Sequence, residues 1–194
     1  MGYQVVTCNT AVMRIDGFAM MPNFTFGLAI ATFVGQNVGA NRMDRVNQGT
    51  KDILKMSLST SFVLVALLLL FGKSLIRMFT TTEEIINLGG RQIRILAAGY
   101  VAMAISQVYG GIMRGAGDTL PSMWISMFTV VVIRVPLAYL WAWLTRSQTY
   151  PAGSPDALFF SLVISWIMGA IANYLWYRRG TWREKSLVPH EQVE

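Results

Sequence analysis

Ten consecutive residues, Phe62-Val63-Leu64-Val65-Ala66-Leu67-Leu68-Leu69-Leu70-Phe71, carry no polar side chain. A helix that is apolar all round has no stripe to turn toward water, so it belongs in hydrocarbon or among other apolar helices. The run is the densest part of one of five apolar stretches, at about residues 17–38, 53–71, 95–113, 123–144 and 157–177. About 20 apolar residues cross ~30 Å of hydrocarbon, and each stretch is near that length. Charged residues make up 13% of the chain, half the usual soluble share of about 25%. The expected fold class is therefore all-α and integral to the membrane, with about five transmembrane helices. Residues 1–178 form the helical bundle and 179–194 a polar tail on the cytoplasmic side.

The net charge of +6 would suit nucleic acid, but the basic residues lie between apolar runs and build no single face. They read as topology signals instead, and no nucleic-acid partner is expected. One set of alternate loops carries Arg42, Arg45 and Lys51, then Arg114, then Arg178, Arg179, Arg183 and Lys185. The opposite set carries Lys73, Arg77 and Arg146, with Arg91 and Arg94 at the interface. Short cytoplasmic loops collect Lys and Arg, so the first set and the C-terminus are expected in the cytoplasm. The first helix then runs from outside to inside. Met1 to Thr10 lacks the charged start, apolar core and cleavage site of a signal peptide. A polytopic chain that starts outside without such a signal implies a preceding segment.

Several features argue against catalysis and metal binding. Cys8 is the single cysteine and reads as a small apolar filler. His190-Glu191 is followed by no second histidine at zinc-site spacing. No span offers a nucleophile–base pair or a metal-ligand set, so the chain is not expected to be an enzyme, and catalytic, cofactor and metal sites are assigned to no residue.

The breaks between spans carry helix punctuation. Thr80 with Glu83, and Thr81 with Glu84, have the spacing of capping boxes that start the third helix before the membrane. Arg91 and Arg94 then snorkel from its interfacial turns. In Gly115-Ala116-Gly117-Asp118-Thr119-Leu120-Pro121, glycine ends one helix, Asp118 or Thr119 caps the next, and Pro121 suits its first turn. Residues 151–156 read as a short turn before the last helix.

Two segments are more specific than lipid-facing filler. In Phe33-Val34-Gly35-Gln36-Asn37-Val38-Gly39-Ala40-Asn41-Arg42, Gly35 and Gly39 have the GxxxG spacing that lets helices approach closely, and Gln36 and Asn37 place amides near the membrane edge. In Tyr109-Gly110-Gly111-Ile112-Met113-Arg114-Gly115-Ala116-Gly117-Asp118-Thr119, Gly111 and Gly115 repeat that spacing, and Arg114 reads as lying at the headgroups. Gly115-Ala116-Gly117 is no phosphate loop, because a helix rather than a strand precedes it and no Gly-Lys-Ser/Thr follows.

Taken together, Val34–Ala40 and Gly111–Thr119 resemble the multidrug and toxic compound extrusion (MATE) family, which shows a Val-Gly-Gln-Asn-x-Gly-Ala stretch after its eighth helix and a Gly-x-x-Arg-Gly-x-Gly-Asp-Thr stretch after its tenth. Arg14-Ile15-Asp16 with Pro22, and Ile133-Arg134-Val135-Pro136-Leu137, resemble further phrases of the family. The resemblance implies a part of the C-terminal lobe of a two-lobe transporter, helices eight to twelve, with the N-terminal lobe and seventh helix absent as partners. It implies an antiporter in the cell membrane, coupled to Na+ or H+, exporting small cationic or apolar drug-like substrates by alternating access. A structural membrane subunit of a split transporter and a lipid-linked sugar flippase of the same superfamily are the alternatives.

The candidates for a substrate or cation pathway are Arg134, Asp16, Gln107, Gln36 and Asn37. Arg134 lies deep in the fourth stretch beside Pro136; it either faces a cleft, pairs with a carboxylate there, or forms a structural ion pair within the lobe. Asp16 reads either as a cation ligand or as a carboxylate favoured by the dipole at a helix N-terminus. Gln36 and Asn37 are equally explained by interfacial hydrogen bonding. Sodium-coupled relatives carry an aspartate in the tenth helix where this chain aligns Met103, with Ser106, Gln107 and Tyr109 as the polar side chains there, so the resemblance does not imply a cation site of that type in this lobe. Methionines and the six tryptophans suit either a cleft for apolar cations or lipid packing and interface belts.

Overall fold

The computed structural model describes residues 2–146 and 153–183. All secondary structure in the described residues is helical: α1 (Gly2–Gly39), α2 (Met43–Arg77), α3 (Glu83–Gly115), α4 (Thr119–Phe128), a π-helical turn (Thr129–Arg134), α5 (Val135–Leu144), α6 (Ala157–Arg179) and a 3-10 turn (Thr181–Arg183). Since α4, the π turn and α5 form one continuous rod, five rods are long and apolar enough to cross a membrane. Each holds one of the five apolar stretches.

The helices overrun their apolar cores, α1 most of all. It starts at Gly2 rather than near Gly17. No proline or glycine interrupts residues 3–16, so nothing in the sequence stops the helix at the hydrocarbon edge. Asp16 therefore sits fourteen residues inside a helix, too deep for the N-terminal dipole to account for it. The capping boxes do not form either. Thr82 is the N-cap of α3, with no side-chain cap bond, and the Thr80 hydroxyl instead accepts the Thr82 N–H at 3.2 Å. Asp118 holds the N-cap position of α4, again without a side-chain cap bond. Of the expected tail, residues 184–194, His190 included, lie outside the described residues, as do 151–152 of the turn before α6.

Helix α3 is the hub, packing against α1, α2 and α6, while the α4–α5 rod leans mainly on α6. The seam between α1 and α3 is built from small residues one turn apart. Gly111 lies against the Gly27 carbonyl, Gly115 against that of Ala31, and Gly35 near that of Gly115. Gly39 has open space where a Cβ would stand.

Helix α2 is turned inside out relative to a soluble protein. It buries Thr50, Ser57 and Ser61 and exposes Phe62, Val63, Leu67, Leu69, Leu70 and Phe71. Lipid tails are as apolar as leucine, so burying leucine gains little, whereas small and polar residues gain close packing and hydrogen bonds. The Ser61 hydroxyl donates to Asn23 Oδ1 of α1 at 2.9 Å, both residues being fully enclosed. Ser61→Ala is expected to cost about 0.6 kcal/mol, the usual size of such a bond within a membrane. Reversible unfolding in detergent checks this, and an unchanged midpoint would show the bond to be idle.

Outside the bilayer centre, Arg91 does not snorkel freely; it pairs with Asp156 at 2.8 Å, tying the start of α6 to α3. Burial raises the Asp156 carboxyl above its ordinary pKa and the Arg91 guanidinium opposes that shift. The tryptophans divide. Trp124 and Trp143 face outward, whereas Trp182 is enclosed, stacks on Tyr177 and donates to its carbonyl at 3.1 Å.

Candidate functional site

Two apolar clusters occupy the two ends of the bundle. One gathers Cys8, Val12, Ile15, Ile76, Ile93, Leu96, Tyr100 and Phe159; the other gathers Ile30, Val34, Val46, Val108, Ile112, Met113 and Trp182. Between them every packed helix turns polar. Helix α1 supplies Asn23, α2 supplies Ser57 and Ser61, α3 supplies Ser106 and Gln107, the π turn supplies Thr129, and α6 supplies Ser165 and Asn173. Polar groups in the middle of membrane-crossing helices are costly unless they interact with something.

Much of the layer opens into a groove of about 270 Å³ between α3, the α4–α5 rod and α6. Its walls are single helix faces: Met103, Ser106, Gln107 and Arg114 from α3; Ser122, Ser126, Thr129, Val130 and Arg134 from the rod; and Ser165, Trp166, Gly169 and Asn173 from α6. Phe24 of α1 closes part of it. The rod takes this shape because Pro136 has no N–H to give the preceding turn, and the backbone there relaxes into the wider π form.

Asp16 is not among the groove's lining residues but is tied to its wall through Tyr100. It accepts a hydrogen bond of 2.7 Å from the Tyr100 hydroxyl, and Tyr100 is fully enclosed and stacks on Trp166 of the groove wall. Asp16 and Arg134 act on one another electrostatically, without forming either of the two ion pairs found among the described residues. Arg114 at the opposite end donates to Ser122 Oγ at 3.1 Å. The amide of Asn173 donates to Ser106 Oγ at 3.0 Å and to the Gly169 carbonyl at 2.9 Å, leaving Asn173 Oδ1 buried without a hydrogen-bond donor among the described residues.

The structure brings Arg134 and Gln107 into one groove, with Gln107 also lying against Gly27, while Asp16 stays outside its lining, bonded to Tyr100 and within electrostatic reach of Arg134. It does not bring in Gln36, which is exposed, or Asn37, which is buried but donates to the Phe33 carbonyl of its own helix at 2.8 Å. Tyr100, Thr129 and Asn173 are missing from the candidates drawn from sequence. Tyr100 could have been found as a polar group near the middle of the third span, and Asn173 as the sole amide in the last one. Among the described residues no three His, Cys, Asp or Glu side chains gather as a metal site.

Asp16, held by the Tyr100 hydroxyl, is thus a carboxylate inside the bundle within electrostatic reach of the Arg134 guanidinium. Comparison with known proteins bears on this. The MatE family profile matches residues 1–140. A probable multidrug resistance protein of Bacillus subtilis (strain 168), YpnP, is 27% identical over 187 residues, covering 96% of this chain and 40% of that protein. The outward-facing conformation of a multidrug resistance MATE family transporter of the MOP superfamily superposes with a TM-score of 0.80 at 19% identity, covering 94% of this chain and 40% of the other. The MATE transporter ClbM in complex with Rb+ gives 0.80 at 21% identity, covering 95% and 42%. The chain spans about two fifths of the length of these proteins.

Proposed function

Because the chain belongs to the MatE family, we propose that it forms helices eight to twelve, in the C-terminal lobe, of a cation-coupled multidrug efflux antiporter of the cell membrane. Its C-terminus is cytoplasmic on this reading, as the distribution of Lys and Arg favours. The observations that carry the proposal are the polar middle layer and the part-buried Asp16–Tyr100 bond within electrostatic reach of Arg134. Secondary transporters hold substrate and coupling ions near the bilayer midplane, and a polar layer between two apolar clusters supports that reading here. Asp16 is the coupling carboxylate, taking Na+ or H+. The apolar faces of α1 and α2 lean on lipid and on the seventh helix and N-terminal lobe, which complete the cleft for small cationic or apolar drugs.

The test joins this chain in frame to the first seven helices of a relative such as YpnP. Energy-dependent ethidium efflux is expected from the chimera, and none from the 194-residue chain alone. Asp16→Asn in the chimera should lower efflux about tenfold or more at equal abundance in the membrane, since one coupling interaction carries about 1–3 kcal/mol. Undiminished efflux by that variant excludes Asp16 as the coupling group. Clear efflux by the chain alone removes the need for a second lobe.

A further inference from the structure

Helices α2 and α6 both pack on α3 but hardly on each other, which leaves a groove between them with α3 as its floor. The groove holds about 310 Å³ and shares no lining residue with the polar one. Leu54 and Leu58 of α2, Ile105 of α3, and Ala170 and Ile171 of α6 make it apolar, and Tyr109 and Tyr174 complete it.

All three helices turn polar toward the same end. On α2, Lys51, Leu54 and Leu58 follow the i, i+3, i+7 spacing of one face, and on α6 Ile171, Tyr174 and Arg178 do the same. Since α2 crosses the membrane against the direction of α3 and α6, Lys51 and Arg178 come out at one end. Each stands about 10 Å along its helix from the deepest apolar residue of its row. Tyr109 lies one turn toward that end from Ile105. Beyond it, Arg183 donates to Asn47 Oδ1 at 3.4 Å and bridges the two walls. Asp52, next to Lys51, is exposed and lines no part of the groove.

Two polar groups at this end have donors to spare. The Arg178 guanidinium lies over the Tyr174 ring, 5.9 Å from its centroid, and forms neither of the two ion pairs found among the described residues. Stacking on a ring leaves the edge N–H donors of a guanidinium free for an anion. Tyr109 is 9% exposed, and its hydroxyl makes no hydrogen bond with another described residue. A hydroxyl so enclosed calls for an acceptor. A free phosphate would leave the apolar trough unfilled, and a neutral hydrocarbon would leave both donors unmet. One amphiphile meets all three demands: an acyl chain along Leu58, Ile105 and Ile171, an ester carbonyl at Tyr109, and a phosphate between Lys51 and Arg178.

We propose that the groove between α2, α3 and α6 is a binding site for one anionic phospholipid. Its acyl chain fills the gap between two helices that do not otherwise support one another, and its headgroup joins their basic ends. On the orientation proposed above, the lipid comes from the cytoplasmic leaflet, whose anionic headgroups attract Lys and Arg. The site is independent of the role given to Asp16.

Native mass spectrometry of the purified chain, released from detergent micelles containing added lipid, counts what is bound. One phosphatidylglycerol per chain is expected, held about twentyfold more tightly than phosphatidylcholine with the same acyl chains, because each of the two cations contributes about fivefold. Arg178→Gln should weaken phosphatidylglycerol about fivefold and leave phosphatidylcholine unchanged. Arg179→Gln removes the same charge from the next residue, whose guanidinium lies over Trp176 instead, and should change neither. Tyr109→Phe should weaken both lipids about fivefold, since both carry ester carbonyls. Equal affinity for the two lipids, equal effects of Arg178→Gln and Arg179→Gln, or unchanged binding in Tyr109→Phe overturns the proposal. Displacement of the lipid by millimolar inorganic phosphate would mark a free-anion site and overturn it too. So would a dimer that phosphatidylglycerol does not dissociate, which would put a second copy of the chain in the groove.

Discussion

Gly111→Leu is expected to prevent α1 and α3 from packing at all. A Cβ at Gly111 would overlap the Gly27 carbonyl oxygen, and one at Gly115 would overlap that of Ala31. Both obstacles are backbone, which cannot rotate away as a side chain can. The helices would have to separate along their whole contact, and α3 is the hub on which α1, α2 and α6 all rest. The loss should reach about 3 kcal/mol or more, the upper range for overpacked interiors. Gly111→Ala should already cost about 1–3 kcal/mol. Gly39→Ala is the control, because nothing lies within 4 Å of its added Cβ, and it should leave the melting temperature in detergent unchanged. If Gly111→Ala and Gly39→Ala melted alike, the seam would not hold the bundle together.

The contrast between those two glycines shows what a sequence of this kind reveals. GxxxG spacing marks a helix face able to approach another, and at Gly111 and Gly115 that face meets a partner. Gly35 and Gly39 have the same spacing, but α3 ends at Gly115 beside Gly35, so nothing remains for Gly39 to meet. Where a partner helix stops is a property of two segments far apart in the chain. The five spans were legible for the reverse reason: the cost of placing polar groups in hydrocarbon acts on each segment separately and shows in its own hydropathy. Helix ends were less legible. Nothing in residues 3–16 breaks a helix, and the hydropathy that delimits a span does not delimit the helix carrying it. In the site, Arg134, Asp16 and Gln107 were visible as polar groups in apolar surroundings. Tyr100 was equally visible as a polar group in the third span, but its role was not, because the Asp16 it bonds lies 84 residues away in sequence.

Tyr100 is also where the site and the fold are most tightly joined, so two substitutions there should separate. Tyr100→Ala removes a ring that is 1% exposed, packs in the cluster around Ile93 and Leu96, and stacks on Trp166 with centroids 5.9 Å apart. A loss of about 3–5 kcal/mol is expected, as for other large aromatic deletions in cores, together with collapse of the groove wall that Trp166 forms. Tyr100→Phe keeps the ring and the stacking and removes only the 2.7 Å bond to Asp16. That leaves a half-buried carboxylate without its one hydrogen-bond donor among the described residues, which should cost about 1–3 kcal/mol if the carboxylate stays charged. On the reading of Asp16 as the coupling group, the carboxylate loses its fixed orientation, so Rb+ binding weakens. Tyr100→Phe should thus reduce cation affinity well beyond its effect on melting, whereas Tyr100→Ala should lose both together. Unfolding in detergent and Rb+ titration on the same preparations distinguish the cases. Wild-type cation affinity in Tyr100→Phe would mean that the hydroxyl serves packing alone.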